Sequence, residues 1–498
     1  MLNGFTVCLQ PINLAYTFIG VLLGTIIGIL PGIGPAATIA LLIPITYGME
    51  PVSALIMMSG VFYGARYGGS MTAILIRTPG EAASVMTAID GYEMARKGRA
   101  GAALAIAAIG SFIAGTLGIV ALTFLAVPLA SLAVRFGPAE YFGLALVALS
   151  CVAMLTGTSP AKGLIATVLG LMIATIGIDI QSGQSRFTLG IPEFFDGIDL
   201  VVIVVGLFAL PEVFRSIEQT VAGSTPSVTR IKGRLWPTKE EWTRSRGPIW
   251  RGGIIGFIVG VLPGAGGTIS AMLSYGLEKK LSKHPEEFGR GAIEGVAAPE
   301  AANNSDTAGA MVPLLTLGIP GGSSTAVLMT AFVLHGIQPG PLLFEKRPEL
   351  VWGLIDSMYV GNIMLLILNL PLIGLFVRLL YIPGGLLYPM IVCISVIGVY
   401  ATNASSLDLY LLLFFGVVGY VFDKLEIPLA PLVLGLVLGD MLEESFRQAV
   451  TISGGSAAIF FRSPIASVLI AIAVMVAAFP YLIRMRFKRA KTIIPVKK

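Results

Sequence analysis

The sequence predicts an all-α integral membrane protein, a polytopic bundle of two fused, inverted repeats with broken or re-entrant helices. Three observations predict it. Charged residues are 12% of the 498, against roughly 25% in an ordinary soluble domain. Apolar residues make up 55% and mean hydropathy is +0.86. A soluble fold of this length needs a charged exterior that this chain cannot supply, whereas a bilayer removes the need. Third, the chain carries a repeated pair of Pro-Gly motifs, set out below.

A helix of about 20 mostly apolar residues spans a bilayer. Long apolar runs recur from Leu14 to Leu30, Gly101 to Leu132, Val201 to Pro211, Trp352 to Leu380 and Pro464 to Leu482. The first has no Lys or Arg before it, so it does not read as a cleaved leader and is expected to stay in the membrane. Glycine at 60 and proline at 30 suit a membrane bundle, where neighbouring helices satisfy the backbone groups that Pro and Gly release.

The net charge of +5 is no nucleic-acid signal, because the basic residues sit in loops and at the C-terminus rather than on one face. Cys8, Cys151 and Cys393 are scattered and odd in number, which argues against a disulfide framework. Nothing reads as an enzyme. The chain has no His-Glu-x-x-His, no phosphate-binding Gly-x-x-x-x-Gly-Lys-Ser/Thr loop and no Gly-x-Ser-x-Gly elbow. His284 and His335 lack ligand spacing. No cofactor is expected, and with no ATP loop transport needs an ion gradient or another subunit.

One polar stretch divides the chain. Residues 214–251 hold Arg215, Arg230, Lys232, Arg234, Lys239, Arg244, Arg246 and Arg251, with Trp236, Trp242 and Trp250. Basic segments of modest length stay in the cytoplasm and Trp favours the headgroup layer. The tail, from Arg484 to Lys498, has the same character. The expected organisation is a first membrane repeat over 1–213, a basic cytoplasmic linker over 214–251, a second repeat over 252–445, and an extra transmembrane helix with a basic tail over 446–498.

The two sides of the linker resemble each other. Ile29-Leu-Pro-Gly-Ile-Gly34 matches Val261-Leu-Pro-Gly-Ala-Gly266, 232 residues on. Thr78-Pro-Gly-Glu-Ala-Ala-Ser84 resembles Ile319-Pro-Gly-Gly-Ser-Ser-Thr325, 241 residues on. A polar insertion near Glu278 to Arg290 accounts for the difference. Two breaks in the same order in each half indicate internal duplication. With linker and tail on one side and an odd number of crossings per repeat, the repeats are inverted.

Pro lacks an N–H and Gly permits unusual dihedrals, so together they end a helix within the membrane. Open backbone at that depth belongs where it is buried in protein or lines a wet cavity. In duplicated transporters such breaks aim helix N-termini at anionic substrate. The candidate substrate-binding residues in the first half are Gly32, Gly34, Gly69, Ser70, Thr72, Arg77, Thr78, Pro79, Gly80 and Glu81. In the second half they are Asn303, Asn304, Ser305, Asp306, Pro320, Gly321, Gly322, Ser323, Ser324 and Thr325. Arg66 and Arg77 are the cationic candidates, and Glu300 and Asp306 the acidic ones. Arg77, beside the first break, is the best placed cation; the rival reading pairs it with Asp306.

Several long stretches then support a resemblance. They run from Tyr67 to Ala102 (through Arg-Thr-Pro-Gly-Glu-Ala-Ala-Ser), Phe136 to Gly143, Lys283 to Ser305 (ending Pro-Glu-Ala-Ala-Asn-Asn-Ser), Pro313 to Ser323 and His335 to Phe344. On these the chain resembles the large membrane subunit of tripartite tricarboxylate transporters (TctA type), over roughly Leu14 to Pro464. The resemblance implies a secondary permease importing di- or tricarboxylates, coupled to Na⁺ or H⁺, in the bacterial inner membrane. It implies two partners, a small membrane subunit and a periplasmic solute-binding protein. A channel-like or exporter permease for another small anionic solute is the alternative on the same architecture. Two positions depart from the family pattern: Arg77 stands where Asn is frequent, and Ser305-Asp306 where small residues are usual.

Overall fold

The computed structural model describes residues 2–30, 33–155, 159–179, 182–221, 236–379 and 384–493. Gly32, the middle of the linker and the last residues of the tail therefore lie outside the described residues. In chain order the helices are α1 (Leu2–Cys8), α2 (Pro11–Gly28), α3 (Pro35–Leu42), α4 (Pro51–Ile76), α5 (Val85–Met94), α6 (Ala100–Ala133), α7 (Pro138–Leu155), α8 (Pro160–Ala174), α9 (Leu200–Val221) and α10 (Lys239–Val261). They continue with α11 (Gly266–Leu281), α12 (Glu294–Leu317), α13 (Ser323–Leu334), α14 (Leu343–Lys346), α15 (Pro348–Leu379), α16 (Gly384–Asn403), α17 (Ser406–Lys424), α18 (Leu429–Ile452), α19 (Ile459–Arg462) and α20 (Pro464–Ile493).

The expected all-α polytopic membrane architecture is borne out. Among the described residues five helices are long and apolar enough to cross a membrane, within Pro11–Gly28, Ala82–Ala133, Leu200–Glu218, Pro348–Phe376 and Ser406–Lys424. Four of these fall on apolar runs named from the sequence. The described ends of the linker are helical: α9 runs on to Val221, and α10 starts at Lys239 behind a capping box in which Thr238 Oγ1 accepts from Glu241 N–H.

The helices form two compact units, and each draws on both sides of the linker. One unit is Met1–Val134 with Asp199–Asp423; the other is Arg135–Ile198 with Lys424–Lys498.

In the larger unit two helix pairs pack by the same rule. Gly20, Gly24 and Gly28 of α2 lie directly on the backbone of Met57, Val61 and Ala65 of α4. Gly252, Gly256 and Gly260 of α10 lie on Ala298, Ala302 and Asp306 of α12 in the same way. At these glycines a methyl group would run into the partner's carbonyl or Cα. Small residues every fourth position are what let helix backbones approach in a membrane. The glycines of the two pairs are offset by 232 residues and their partners by 241, the same two offsets as the Pro-Gly motifs. The duplication is thus present in the packing. The nine additional residues fall between α10 and α12, where α11 is 16 residues against 8 for α3.

The smaller unit packs α8 on α18 through reciprocal close approaches at Gly170 and Gly435. Phe142 of α7, Phe446 of α18 and Phe460 of α19 form a cluster, with Phe446 and Phe460 stacked 5.6 Å apart. It also holds a feature without a sequence signal, an antiparallel pair of two-residue strands, β1 (Gly177–Ile178) and β2 (Ser185–Arg186). Beside it Asp179 pairs with Arg186 at 3.2 Å and Arg447 at 2.9 Å.

Candidate functional site

The site lies within the larger unit, where the ends of α4 and α12 meet. Both helices stop by the same device. At the end of α4 Arg77 turns left-handed, with φ of 57°. At the end of α12 Gly318 does so, with φ of 70°. A left-handed residue satisfies the last carbonyls of a helix. For Gly318 the bonds are Gly318 N–H to Leu314 O at 3.1 Å and Ile319 N–H to Pro313 O at 3.1 Å. Pro79 and Pro320 then prevent the helix from resuming.

After each proline the chain folds back against its own helix. Gly80 sits against Gly69, so that a Cβ on Gly80 would lie 2.5 Å from Gly69 Cα and 2.9 Å from Gly28 O. Gly321 sits against Ala310, where a Cβ would lie 2.8 Å from Ala310 Cα and 2.9 Å from Gly260 O. Glycine permits a positive dihedral, which the sequence alone would suggest at these two positions. The left-handed residues are instead Arg77 and Gly318, and Gly80 and Gly321 are needed for close approach. Thr72 Oγ1 donates to Gly69 O at 2.9 Å and would be 3.3 Å from a Cβ on Gly80. Gly34 borders Glu81 and Gly80, and Gly322 borders Gly266. Gly322 N–H donates to Thr325 Oγ1 at 2.9 Å, starting α13 at Ser323 with Ser324 and Thr325 buried.

Between the breaks α4 and α12 share a network of buried polar groups. Arg66 is 5% exposed and Asp306 0%. Arg66 Nη2 stands 3.0 Å from Asp306 Oδ2. Its Nη1 donates to the carbonyl of Asn303 at 3.1 Å and also to the side-chain oxygen. The guanidinium lies over the Phe62 ring, 5.1 Å from its centre. Asn303 Nδ2 donates to Glu81 Oε1 at 2.9 Å, which ties the first break to α12. Glu300, buried in mid-helix, accepts from Ser70 at 2.5 Å and from Thr87. Asn304 donates to Ser111 Oγ at 2.7 Å. Gly267 closes the network from α11, since a Cβ there would strike Arg66 and Asn303.

The network corrects one expectation. Asp306 pairs with Arg66, not with Arg77. Arg77 is exposed, and its guanidinium lies over Tyr92 at 5.8 Å. A left-handed residue swings the chain away from the helix axis and takes the Arg77 side chain with it. Arg66 lies three turns back along α4, on the face that meets α12. Of the other sequence candidates, the structure brings Ser70, Glu81, Asn303 and Asp306 into one network. It places Thr78, Pro79, Gly80, Pro320 and Gly321 in the breaks beside it, with Thr72 on α4 against Gly80. Ser305 turns toward α6, where its Oγ would be 2.9 Å from a Cβ on Gly118. Among the described residues Ser305 Oγ, Thr307 Oγ1 and Asp306 Oδ1 have no hydrogen-bond partner. A buried polar atom left in that state costs about 1–3 kcal/mol.

Thr87 and Asp90 were missed. Asp90 shortly precedes Arg96, Lys97 and Arg99 in a charge-rich stretch, yet it is buried on α5. It accepts N–H bonds from Gly289 and Gly291 at 2.8 Å and from Ala292 at 2.9 Å, and a hydroxyl bond from Tyr275 at 2.9 Å. Nearby, Lys97 donates to Arg290 O at 2.5 Å, Arg99 pairs with Glu241, and Arg244 joins Glu287 at 2.5 Å and Glu294 at 2.8 Å. Among the described residues no three His, Cys, Asp or Glu side chains converge to hold a metal ion.

The chain matches the family described as "Tripartite tricarboxylate transporter TctA family" over residues 14–434. An uncharacterized 52.8 kDa protein in the TAR-I ttuC' 3'region of Agrobacterium vitis is 49% identical over 491 residues, covering 99% of this chain and 97% of its own. An uncharacterized protein in the TAR-II ttuC' 3'region of the same organism is 47% identical over 234 residues, 47% of this chain and 97% of its own. No solved structure matches the chain.

Proposed function

From the premise that this chain belongs to the tripartite tricarboxylate transporter TctA family, we propose that it is the permease of an ion-coupled importer of di- or tricarboxylates. In this reading a periplasmic solute-binding protein delivers the substrate, a small membrane subunit completes the transporter, and Na⁺ or H⁺ drives uptake. The protein sits in the inner membrane as two inverted repeats, with linker and C-terminus in the cytoplasm.

One observation supports the reading most: Arg66, a buried guanidinium of the first half, engages α12 of the second half between the two Pro-Gly breaks. A carboxylate entering at that depth sheds water. Helix N-termini offer only about half a positive charge each, so a full cation is needed. A guanidinium grips a carboxylate by two parallel bonds. Asp306 holds that position in the substrate's absence, and the arriving carboxylate displaces it. Arg77, exposed beside the first break, meets the substrate before Arg66 does. The hydroxyls and amides of Ser70, Thr72, Thr78, Asn303 and Thr325 are within the same region to receive the remaining oxygens.

The test is uptake of labelled citrate and succinate by cells expressing the permease with its small subunit and binding protein. Saturable, ion-dependent uptake that needs the binding protein is expected. Flux that proceeds without it would replace this reading with a channel. Cysteines at Ser224 and Lys498 test the orientation: both should resist an impermeant thiol reagent in intact cells, and labelling of either from outside would overturn it.

A further inference from the structure

Three carboxyl groups, Glu81, Glu300 and Asp306, share this buried region with one guanidinium. Arg66 is taken by Asp306 and Asn303. Glu81 takes the Asn303 amide. Glu300, 0% exposed, has no cation within ion-pair distance among the described residues. An ionised carboxylate in a low-dielectric interior is strongly unfavourable without a partner charge, whereas the neutral acid needs only hydrogen bonds. Asp306 Oδ1, also fully buried and without a hydrogen-bond partner among the described residues, adds a second unbalanced acceptor to the same space.

We infer that Glu300 is the proton-carrying group of this site, alternating between acid and carboxylate as the transporter works. The hydroxyls around it accommodate both states. Ser70 Oγ has two acceptors in reach, Glu300 Oε2 at 2.5 Å and the carbonyl of Arg66 at 3.3 Å. With Glu300 ionised, Ser70 and Thr87 each donate to one carboxylate oxygen. With Glu300 protonated, its O–H donates to Ser70 Oγ, and the Ser70 hydroxyl hydrogen turns to the Arg66 carbonyl. Thr87 still donates to Oε1. One proton is gained from water on one side of the membrane and returned on the other, and no hydrogen bond is lost. The state of Glu300 is thus read on the turn of α4 that bears Arg66. The groups facing Glu300 are Arg66, Tyr67 and Ser70 of α4, Thr87 of α5 with Asp90 farther along it, and Glu81 of the first break, while Asn304 of its own helix donates to the Glu300 backbone carbonyl and Asp306 lies beyond, on Arg66. None but Arg66 brings a positive charge. A proton on Glu300 removes one negative charge beside the place where a carboxylate must reach Arg66, so its uptake favours substrate.

The purpose of the proton rests on the transport reading, but its detection does not. Purified protein in lipid nanodiscs, without substrate, is compared at acid and alkaline pH by infrared difference spectroscopy. The expected result is a carbonyl band of a buried carboxylic acid, shifted on exchange into heavy water, present in wild type and lost in Glu300→Gln. Ser70→Ala and Thr87→Val should keep the band at a shifted frequency, because each removes a hydrogen-bond partner of the acid. They decide the matter if Glu300→Gln fails to fold. A band unchanged in Glu300→Gln, a band unmoved in Ser70→Ala, no band in wild type at any pH, or a band erased by sodium at constant pH would each overturn the proposal. Citrate uptake serves as the separate control: its absence in wild type with the band present would sink the transport reading and leave the proton site standing.

Discussion

The two Pro-Gly breaks share a backbone and differ in side chains. In each, a helix ends in a left-handed residue, a proline follows, and a glycine packs against its own helix and a neighbouring carbonyl. At equivalent positions, 241 residues apart, the first half has Arg66, Arg77 and Glu81 where the second has Thr307, Gly318 and Gly322. The second half has Asn303, Glu300 and Asp306 where the first has Phe62, Ser59 and Ala65. Close approach of backbones constrains both copies equally, so the frame is duplicated. Charge is not constrained that way. One half supplies the cation and the other most of its acceptors, and the site exists only where the halves meet.

The largest effects should strike both breaks alike. Gly80→Leu and Gly321→Leu should each abolish uptake with protein still present in the membrane fraction, because even a methyl group would overlap neighbouring backbone; overpacking of this kind costs about 1–3 kcal/mol or more. Normal uptake by one of the two would show that the breaks are not equivalent. The next effect should separate the halves. Arg66→Ala or Asp306→Ala leaves a buried charge unpaired, at a cost of about 3–5 kcal/mol. Thr307→Val, at the position equivalent to Arg66, should instead stabilise the protein by about 1–3 kcal/mol, since its buried hydroxyl has no hydrogen-bond partner among the described residues. The Arg66→Ala/Asp306→Ala double variant should regain much of the lost melting temperature without regaining uptake. Two equally damaged singles with no recovery in the double would mean that the pair is not what couples them.

A smaller effect concerns the left-handed residues. Arg77→Gly should stabilise the protein by about 1 kcal/mol, since a left-handed non-glycine residue costs about 1–2 kcal/mol. Gly318→Ala should destabilise by more, because its Cβ would also meet Pro339 O at 2.7 Å. Arg77→Gly should also raise the KM for uptake a few-fold, in keeping with the roughly 0.2–1 kcal/mol of an exposed ionic contact. A lower melting temperature in Arg77→Gly would contradict the conformational argument.

The smallest effect lies in the loop before α12, part of the stretch that is nine residues longer than its counterpart in the first half. A hydrogen bond from Arg244 holds the Glu287 carboxyl below its usual range. A depressed carboxylate contributes stability above its unfolded pKa and loses it as pH falls through its lower folded value. Melting temperature should therefore decline on acidification across that window, and less so in Arg244→Gln. Identical pH profiles would remove Glu287 from the account.

Much of the frame was legible in the sequence because its causes are local. Apolar length marks the spans, and Pro-Gly with its recurrence marks the breaks. The Pro-Gly offsets of 232 and 241 residues reappear in the glycine contacts. The site was legible only in outline. Arg77 is nearest the first break in sequence, but the left-handed turn carries it out. Arg66 is farther off and buried. Thr87 reaches Glu300 across 213 residues of chain, from within a stretch that carries the family resemblance but with nothing to mark it as a site residue. Asp90 shortly precedes a run of basic residues, and only the fold reveals that it binds the N–H groups of Gly289, Gly291 and Ala292. Contacts between helices depend on rotation and register, which composition does not encode.

The most direct test of the account is the affinity of purified permease for citrate, measured in wild type, Arg66→Ala and Asp306→Asn. Removal of the guanidinium should weaken binding at least about 30-fold, the equivalent of about 2 kcal/mol. Removal of the competing charge in Asp306→Asn should tighten it. Unchanged affinity in Arg66→Ala would contradict the account.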